Sequence, residues 1–122
     1  GGIGITPMLS MLRYMHDHGD ARPVTLIWSN QTRAHLFAEE ELTALGEKLT
    51  NFTWLPIFTR DTAGKGRFGR LDENALASIL RDCHRDASIF LCGPPGMIKQ
   101  VQKGLTRIGF SASSVHTERF GF

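Results

Sequence analysis

Apolar positions along the chain recur with periods that switch between helix and strand. Met8, Met11, Leu12 and Met15 share one helical face and predict a first helix that stops at Gly19. Val24 to Trp28 is a short apolar-rich run, as expected of a buried strand. Ala38, Leu42, Leu45 and Leu49 predict a second helix. Phe52 to Phe58 predicts another strand, in which Pro56 belongs near an edge or an end. Leu76, Ile79 and Leu80 mark a third helix, with Asp72 placed to cap it. Ser88 to Cys92 repeats the buried-strand pattern. Met97, Ile98, Val101, Leu105 and Ile108 form the face of a fourth helix, stopped by Gly109. Val115 to Arg119 predicts a last strand.

Strands alternating with helices of this length imply right-handed crossovers and a mostly parallel sheet covered on both faces. The expected class is α/β, a doubly wound, Rossmann-like sheet of five strands whose first strand would precede Gly1. In such sheets ligands bind beyond the carboxyl ends of the strands, so the strand-to-helix turns carry the chemistry.

Composition narrows the partners. The 122 residues form one domain, 41% hydrophobic and 21% charged. With 14 Lys+Arg against 12 Asp+Glu, the charge of +2 is too small and mixed to argue for nucleic acid or an anionic membrane. No apolar run approaches the ~20 residues of a membrane span, and no signal peptide is visible. Cys83 and Cys92 form no CxxC motif, which argues against a cysteine-held metal or cluster. Without a secretory context, reduced thiols and a cytoplasmic setting are expected. The five histidines, at 16, 18, 35, 84 and 116, are scattered, and no metal site is expected.

Two turns stand out. Gly1-Gly2-Ile3-Gly4-Ile5-Thr6-Pro7 opens the first helix, with Thr6 suited to cap it and Pro7 to its first position. Helix-start amides there favour an anion such as pyrophosphate; a tight turn without ligand is the alternative. The second turn, Cys92-Gly93-Pro94-Pro95-Gly96-Met97, leaves a strand end and opens the fourth helix. Cys92 there would face the ligand crevice, or else be a small buried core residue. The loop from Asp61 to Arg70 holds Gly64, Lys65, Gly66, Arg67 and Gly69 and reads as a flexible surface loop, with a phosphate or redox-partner contact as its alternative.

Together, residues 1–7, Cys-Gly-Pro-Pro-Gly-Met at 92–97 and the tail His-Thr-Glu-Arg-Phe-Gly-Phe at 116–122 resemble the nicotinamide-dinucleotide domain of the ferredoxin–NADP reductase superfamily. Ser29-Asn30-Gln31-Thr32 and Glu118-Arg119 look most like its cytochrome b5 reductase branch. The resemblance implies that Gly2, Gly4, Thr6 and Pro7 receive the pyrophosphate and nicotinamide ribose. It implies that Cys92 and Glu118 lie at the nicotinamide as the catalytic pair, with Gly93, Pro94, Pro95 and Met97 shaping the turn. A terminal aromatic, Phe120 in preference to Phe122, would stack beside a flavin. It also implies NAD(P)H and FAD as cofactors, the FAD held mainly by an upstream β-barrel domain. Electrons would pass to an acceptor protein or small molecule.

The adenosine end departs from the pattern. NADH-using relatives resemble Thr-x-x-Asp after the second strand, whereas this chain has Thr32-Arg33-Ala34-His35. Asn30, Thr32, Arg33, His35 and Arg60 are the candidate contacts. Loss of the acid removes repulsion against a 2′-phosphate that Arg33 and Arg60 could pair with. The branch likeness favours NADH instead, and the choice stays open. The leading expectation is the dinucleotide half of a flavin-dependent reductase, inactive as an isolated piece; a non-catalytic nucleotide-binding or electron-transfer module is the second. A central strand expected before Gly1 would be supplied by upstream chain or by a strand-swapped dimer, because buried unpaired amides are costly.

Overall fold

The protein is described here by a computed structural model covering residues 4–30, 39–49, 51–58, 67–68 and 71–119, without the side chains of residues 39, 67, 68 and 119. These residues fall into two compact units, one within residues 4–68 and the other within 71–119.

The first unit runs α1 (Ile5–Asp17), β1 (Val24–Asn30), α2 (Glu39–Lys48), β2 (Phe52–Phe58) and β3 (Arg67–Phe68). Its strands are parallel in the order β1-β2-β3, with Val24 opposite Phe52 and Asn30 opposite Phe58. The apolar stripe of α1 is Ile5, Leu9 and Leu12, spaced four and then three residues apart, and it packs with Leu26 and Trp28 of β1 and with Leu42, Leu45 and Leu49. Met8 is only partly buried and Met11 is 38% exposed, so the expected face is rotated. The helix also starts early. Gly4 adopts φ −58° and ψ −8°, already right-handed helical, and winding begins at Ile5. Thr6 and Pro7 are therefore the second and third helical residues rather than the cap and the first, and Pro7 still sits where an amide would have no intrahelical partner.

Gly19 ends α1 with φ +64°, and the amides of Gly19 and Asp20 donate to the carbonyls of His16 and Met15. That crossed pair of bonds is a Schellman ending, which requires the left-handed backbone that glycine adopts without strain. Arg13 pairs with Glu41, tying α1 to α2. Pro56 is one residue short of the pairing with β3, which begins at Ile57, in keeping with its expected place near an end. β3 itself was not expected; two residues carry no readable period.

The second unit runs α3 (Glu73–Ile79), β4 (Ile89–Gly93), α4 (Pro95–Arg107), a 3-10 turn (Ala112–Ser114) and β5 (Val115–Arg119). β4 and β5 pair in parallel, joined by the α4 crossover, which packs on both strands and on α3. Asp72 caps α3 as expected, its carboxylate accepting from the Ala75 amide at 2.8 Å. The buried stripe of α4 is Ile98, Val101, Gly104 and Leu105. Gly104 is the close-approach point: a Cβ there would lie 2.7 Å from the Leu76 side chain of α3. Gly109, at φ +108°, ends α4 by a second Schellman pair, and Phe110 beyond it is buried. The protein is thus α/β with parallel strands and helical crossovers.

Candidate functional site

The residues singled out in the sequence collect at carboxyl ends of strands and at starts of helices. Asn30 is the last residue of β1, and among the described residues it is the one polar side chain that is buried, at 7% exposure. Cys92 and Gly93 end β4, and Glu118 and Arg119 end β5.

Cys92 stands directly opposite Glu118 in the parallel register, and Gly93 opposite Arg119. Side chains paired in register lie on the same face of neighbouring strands about 4.8 Å apart. Cys92 is 5% exposed, whereas Glu118 is exposed. Burial pushes the Cys92 thiol above its ordinary pKa, and the charge of Glu118 pushes it further the same way. Cys92 is thus a small buried residue, as one of the two expectations had it, and it ends its strand opposite an acid. Its sulfur is a neutral thiol at physiological pH, a polarizable surface rather than a nucleophile.

The helix starts differ in a telling way. The cap of α3 is filled by Asp72, with Glu73 behind it in the first turn. Neither α1 nor α4 has a side-chain cap, and neither carries an acid in its first turn. Both helix starts present the positive end of the helix dipole, which favours an anion. At α4 the cap is Pro94, followed by Pro95 at the start of the helix, and a Cβ on Gly96 would meet nothing within 4 Å. Gly4 is buried, Thr6 exposed and Pro7 half-buried at the start of α1; Met97 is half-buried in the first turn of α4. Each of these acid-free, uncapped helix starts is, taken by itself, chemically suited to an anion such as a phosphate.

Gly2, Thr32, Arg33, His35, Arg60 and Phe120 lie outside the described residues, as does nearly all of the loop at 61–70. Two features escaped the sequence reading. Phe90 and His116, a register pair two residues before Cys92 and Glu118, stack with ring centroids 5.1 Å apart. Counting back by twos from Cys92 and Glu118 finds them once the pairing is known. Arg85, in the turn before β4, gathers three backbone carbonyls. No periodicity marks a turn residue of that kind.

A model of the oxidoreductase NAD-binding domain matches residues 1–103. The chain belongs to that family. Its relatives place it within the ferredoxin–NADP reductase superfamily expected from the motifs. It is 31% identical over 125 residues to the reductase component of propane 2-monooxygenase from Rhodococcus jostii, covering 98% of this chain and 34% of that protein. It is 32% identical over 114 residues to NADH-cytochrome b5 reductase 1 from Pyricularia oryzae, covering 90% of this chain and 37% of that protein. Among solved structures it resembles the flavohemoglobin of Malassezia yamatoensis, which holds FAD and heme, with a TM-score of 0.87 and 28% identity over 98% of this chain and 30% of that one. The cytochrome b5 reductase domain of Ulva prolifera nitrate reductase superposes with a TM-score of 0.83 at 25% identity, over 97% of this chain and 47% of that domain. The chain spans about a third of the length of the two sequence relatives.

Proposed function

We propose that this NAD-binding domain serves a flavin-dependent reductase, holding NAD(P)H so that its hydride reaches FAD carried mainly by a separate flavin domain, with electrons then leaving to an acceptor protein or small molecule. The observation that carries the reading is the register of Cys92 against Glu118 at the carboxyl ends of β4 and β5, immediately before the uncapped start of α4.

When bound, the dinucleotide supplies the hydride and FAD accepts it; the chain contributes binding and orientation. Gly2, Gly4, Thr6 and Pro7 receive the pyrophosphate and the nicotinamide ribose. Gly93, Pro94, Pro95 and Met97 shape the turn and leave its amides open. The neutral thiol of Cys92 presents a small polarizable surface to the ring, and the Glu118 carboxylate favours the positive charge that develops there as hydride leaves. Phe120 stacks beside the flavin. Asn30, Thr32, Arg33, His35 and Arg60 hold the adenosine end. Geometry provides most of the rate effect, since a near-attack arrangement needs donor and acceptor about 3–3.5 Å apart. One doubly wound sheet and a cytoplasmic setting belong to the same proposal.

Anaerobic titration of the flavin-containing reductase with NADH and NADPH tests it. Bleaching of the flavin's visible absorbance by at least one of them is expected, and bleaching by neither would sink the reading. Arg33→Ala or Arg60→Ala should weaken NADPH more than NADH; equal effects would remove both arginines from phosphate recognition.

A further inference from the structure

Parallel strands joined by a crossover have no tight turn between them to fix their register. β4 and β5 are such a pair, yet five residues match in phase, from Ile89 opposite Val115 to Gly93 opposite Arg119. A slip of one residue would set Cys92 against Thr117 or Arg119 and reverse the face of every side chain on the slipped strand. Besides the buried pattern of the strands themselves, the segments that lead into them can set the phase.

Arg85 bridges the two segments that lead into them. It lies in the turn ahead of β4, where its Nη1 donates to the carbonyls of Leu80 at 2.9 Å and Cys83 at 2.8 Å. Its Nε reaches across to the carbonyl of Ile108 at the end of α4, at 3.0 Å. Its guanidinium lies over the ring of Phe110, 4.8 Å from the centroid, and Phe110 is buried just past the turn that leads on to β5. The stem runs past the left-handed Gly109, where a Cβ would come into ordinary contact with it, 3.6 Å from Arg85 Cδ. One planar cation therefore satisfies carbonyls at the ends of α3 and α4 and fixes the two approaches to the sheet against each other.

We infer that Arg85 is a positioning residue for the proposed site: by locking the turn before β4 to the turn after α4, it sets the register that places Cys92 opposite Glu118. The link to activity rests on the function proposed above; the link to register does not.

The test uses the flavin-containing reductase in a Cys83→Ser background, so that Cys92 alone of this domain's thiols reports. The pH profile of Cys92 alkylation by iodoacetamide is measured with and without Glu118→Gln. With Arg85 present, Glu118→Gln shifts the profile to lower pH. In Arg85→Met that shift is lost. Asp72→Ala, which removes the α3 cap and touches neither turn, is the control and keeps the shift despite a lower Tm. Arg85→Lys keeps the charge but not the fork, and should resemble Arg85→Met. If Arg85→Met does not fold, Phe110→Leu removes the ring beneath the guanidinium and should reduce the shift.

A full Glu118→Gln shift in Arg85→Met, Arg85→Lys or Phe110→Leu would overturn the inference. As a second reading, flavin reduction at saturating NAD(P)H should fall by about tenfold or more in Arg85→Met, because small misplacements at a reacting centre are costly, and remain unchanged in Asp72→Ala. Should Cys92→Ala and Glu118→Gln leave flavin reduction intact, the proposed function of the pair fails, while the alkylation profiles still decide the role of Arg85.

Discussion

Cys92 and Glu118 meet across the β4–β5 ladder with opposite exposure, the thiol buried and the carboxylate open to solvent. The pairing couples a titration inside the protein to a charge at its surface. Burial and Glu118 both raise the thiol pKa, so the neutral thiol is the form the folded state favours. The associated stability is fully present below the ordinary thiol value of about 8.5 and is lost as pH rises through the folded value. Urea midpoints taken from neutral to alkaline pH should therefore fall on the alkaline side, and Cys92→Ser should flatten that limb. Retention of the full slope in Cys92→Ser would assign it to another group.

Gly104 sets how closely α4 approaches α3. A branched side chain there meets Leu76 and then the Glu73 backbone, where a Cβ would already be 3.6 Å from Cα. Gly104→Val should lower stability by about 1–3 kcal/mol through overpacking, read as a lower urea midpoint at constant m-value. An unchanged midpoint would mean that the two helices separate at no cost.

At Gly109 the backbone rather than space is decisive. Its φ of +108° is strained for any L side chain, and alanine should cost about 1–2 kcal/mol even though the nearest Arg85 atom would be only in ordinary contact. Gly96 is the comparison, since a Cβ there meets nothing within 4 Å. Thermal unfolding should show Gly109→Ala well below the parent and Gly96→Ala close to it.

Arg13 holds the Glu41 carboxyl below its ordinary pKa, chiefly by their hydrogen bond. A carboxylate depressed in the folded state contributes stability above the unfolded value that is lost as pH falls through the folded one. Glu41→Gln should make the acid limb of the stability profile shallower, with a loss that is largest at neutral pH, small because the pair is solvent-exposed, and that vanishes as pH falls through the folded value. A loss that persists undiminished at acid pH would point instead to lost packing between α1 and α2.

The sequence was most legible where one residue has one physical consequence. Asp72 starts its helix and Gly19 and Gly109 end theirs as expected, because a cap oxygen and a left-handed glycine act locally. Met11 misled, because three methionines and two leucines between positions 8 and 15 fit more than one helical face. Thr6 was displaced because Gly4 already winds as helix. Cys92 and Glu118 were legible through resemblance to a family; their opposition is a property of register, which no local pattern encodes. Arg85 was invisible, because its partners lie two to twenty-three residues away and are all backbone.

The protonated state of Cys92 has a consequence for durability. Peroxide and disulfide exchange attack thiolates, and susceptibility to the sulfenic, sulfinic and sulfonic steps follows thiolate character and exposure. A buried thiol kept neutral by its burial and by an adjacent acid is protected on both counts, whereas Cys83 is half-buried. The placement of Cys92 in the ladder beside Glu118 thus shields its sulfur from irreversible oxidation.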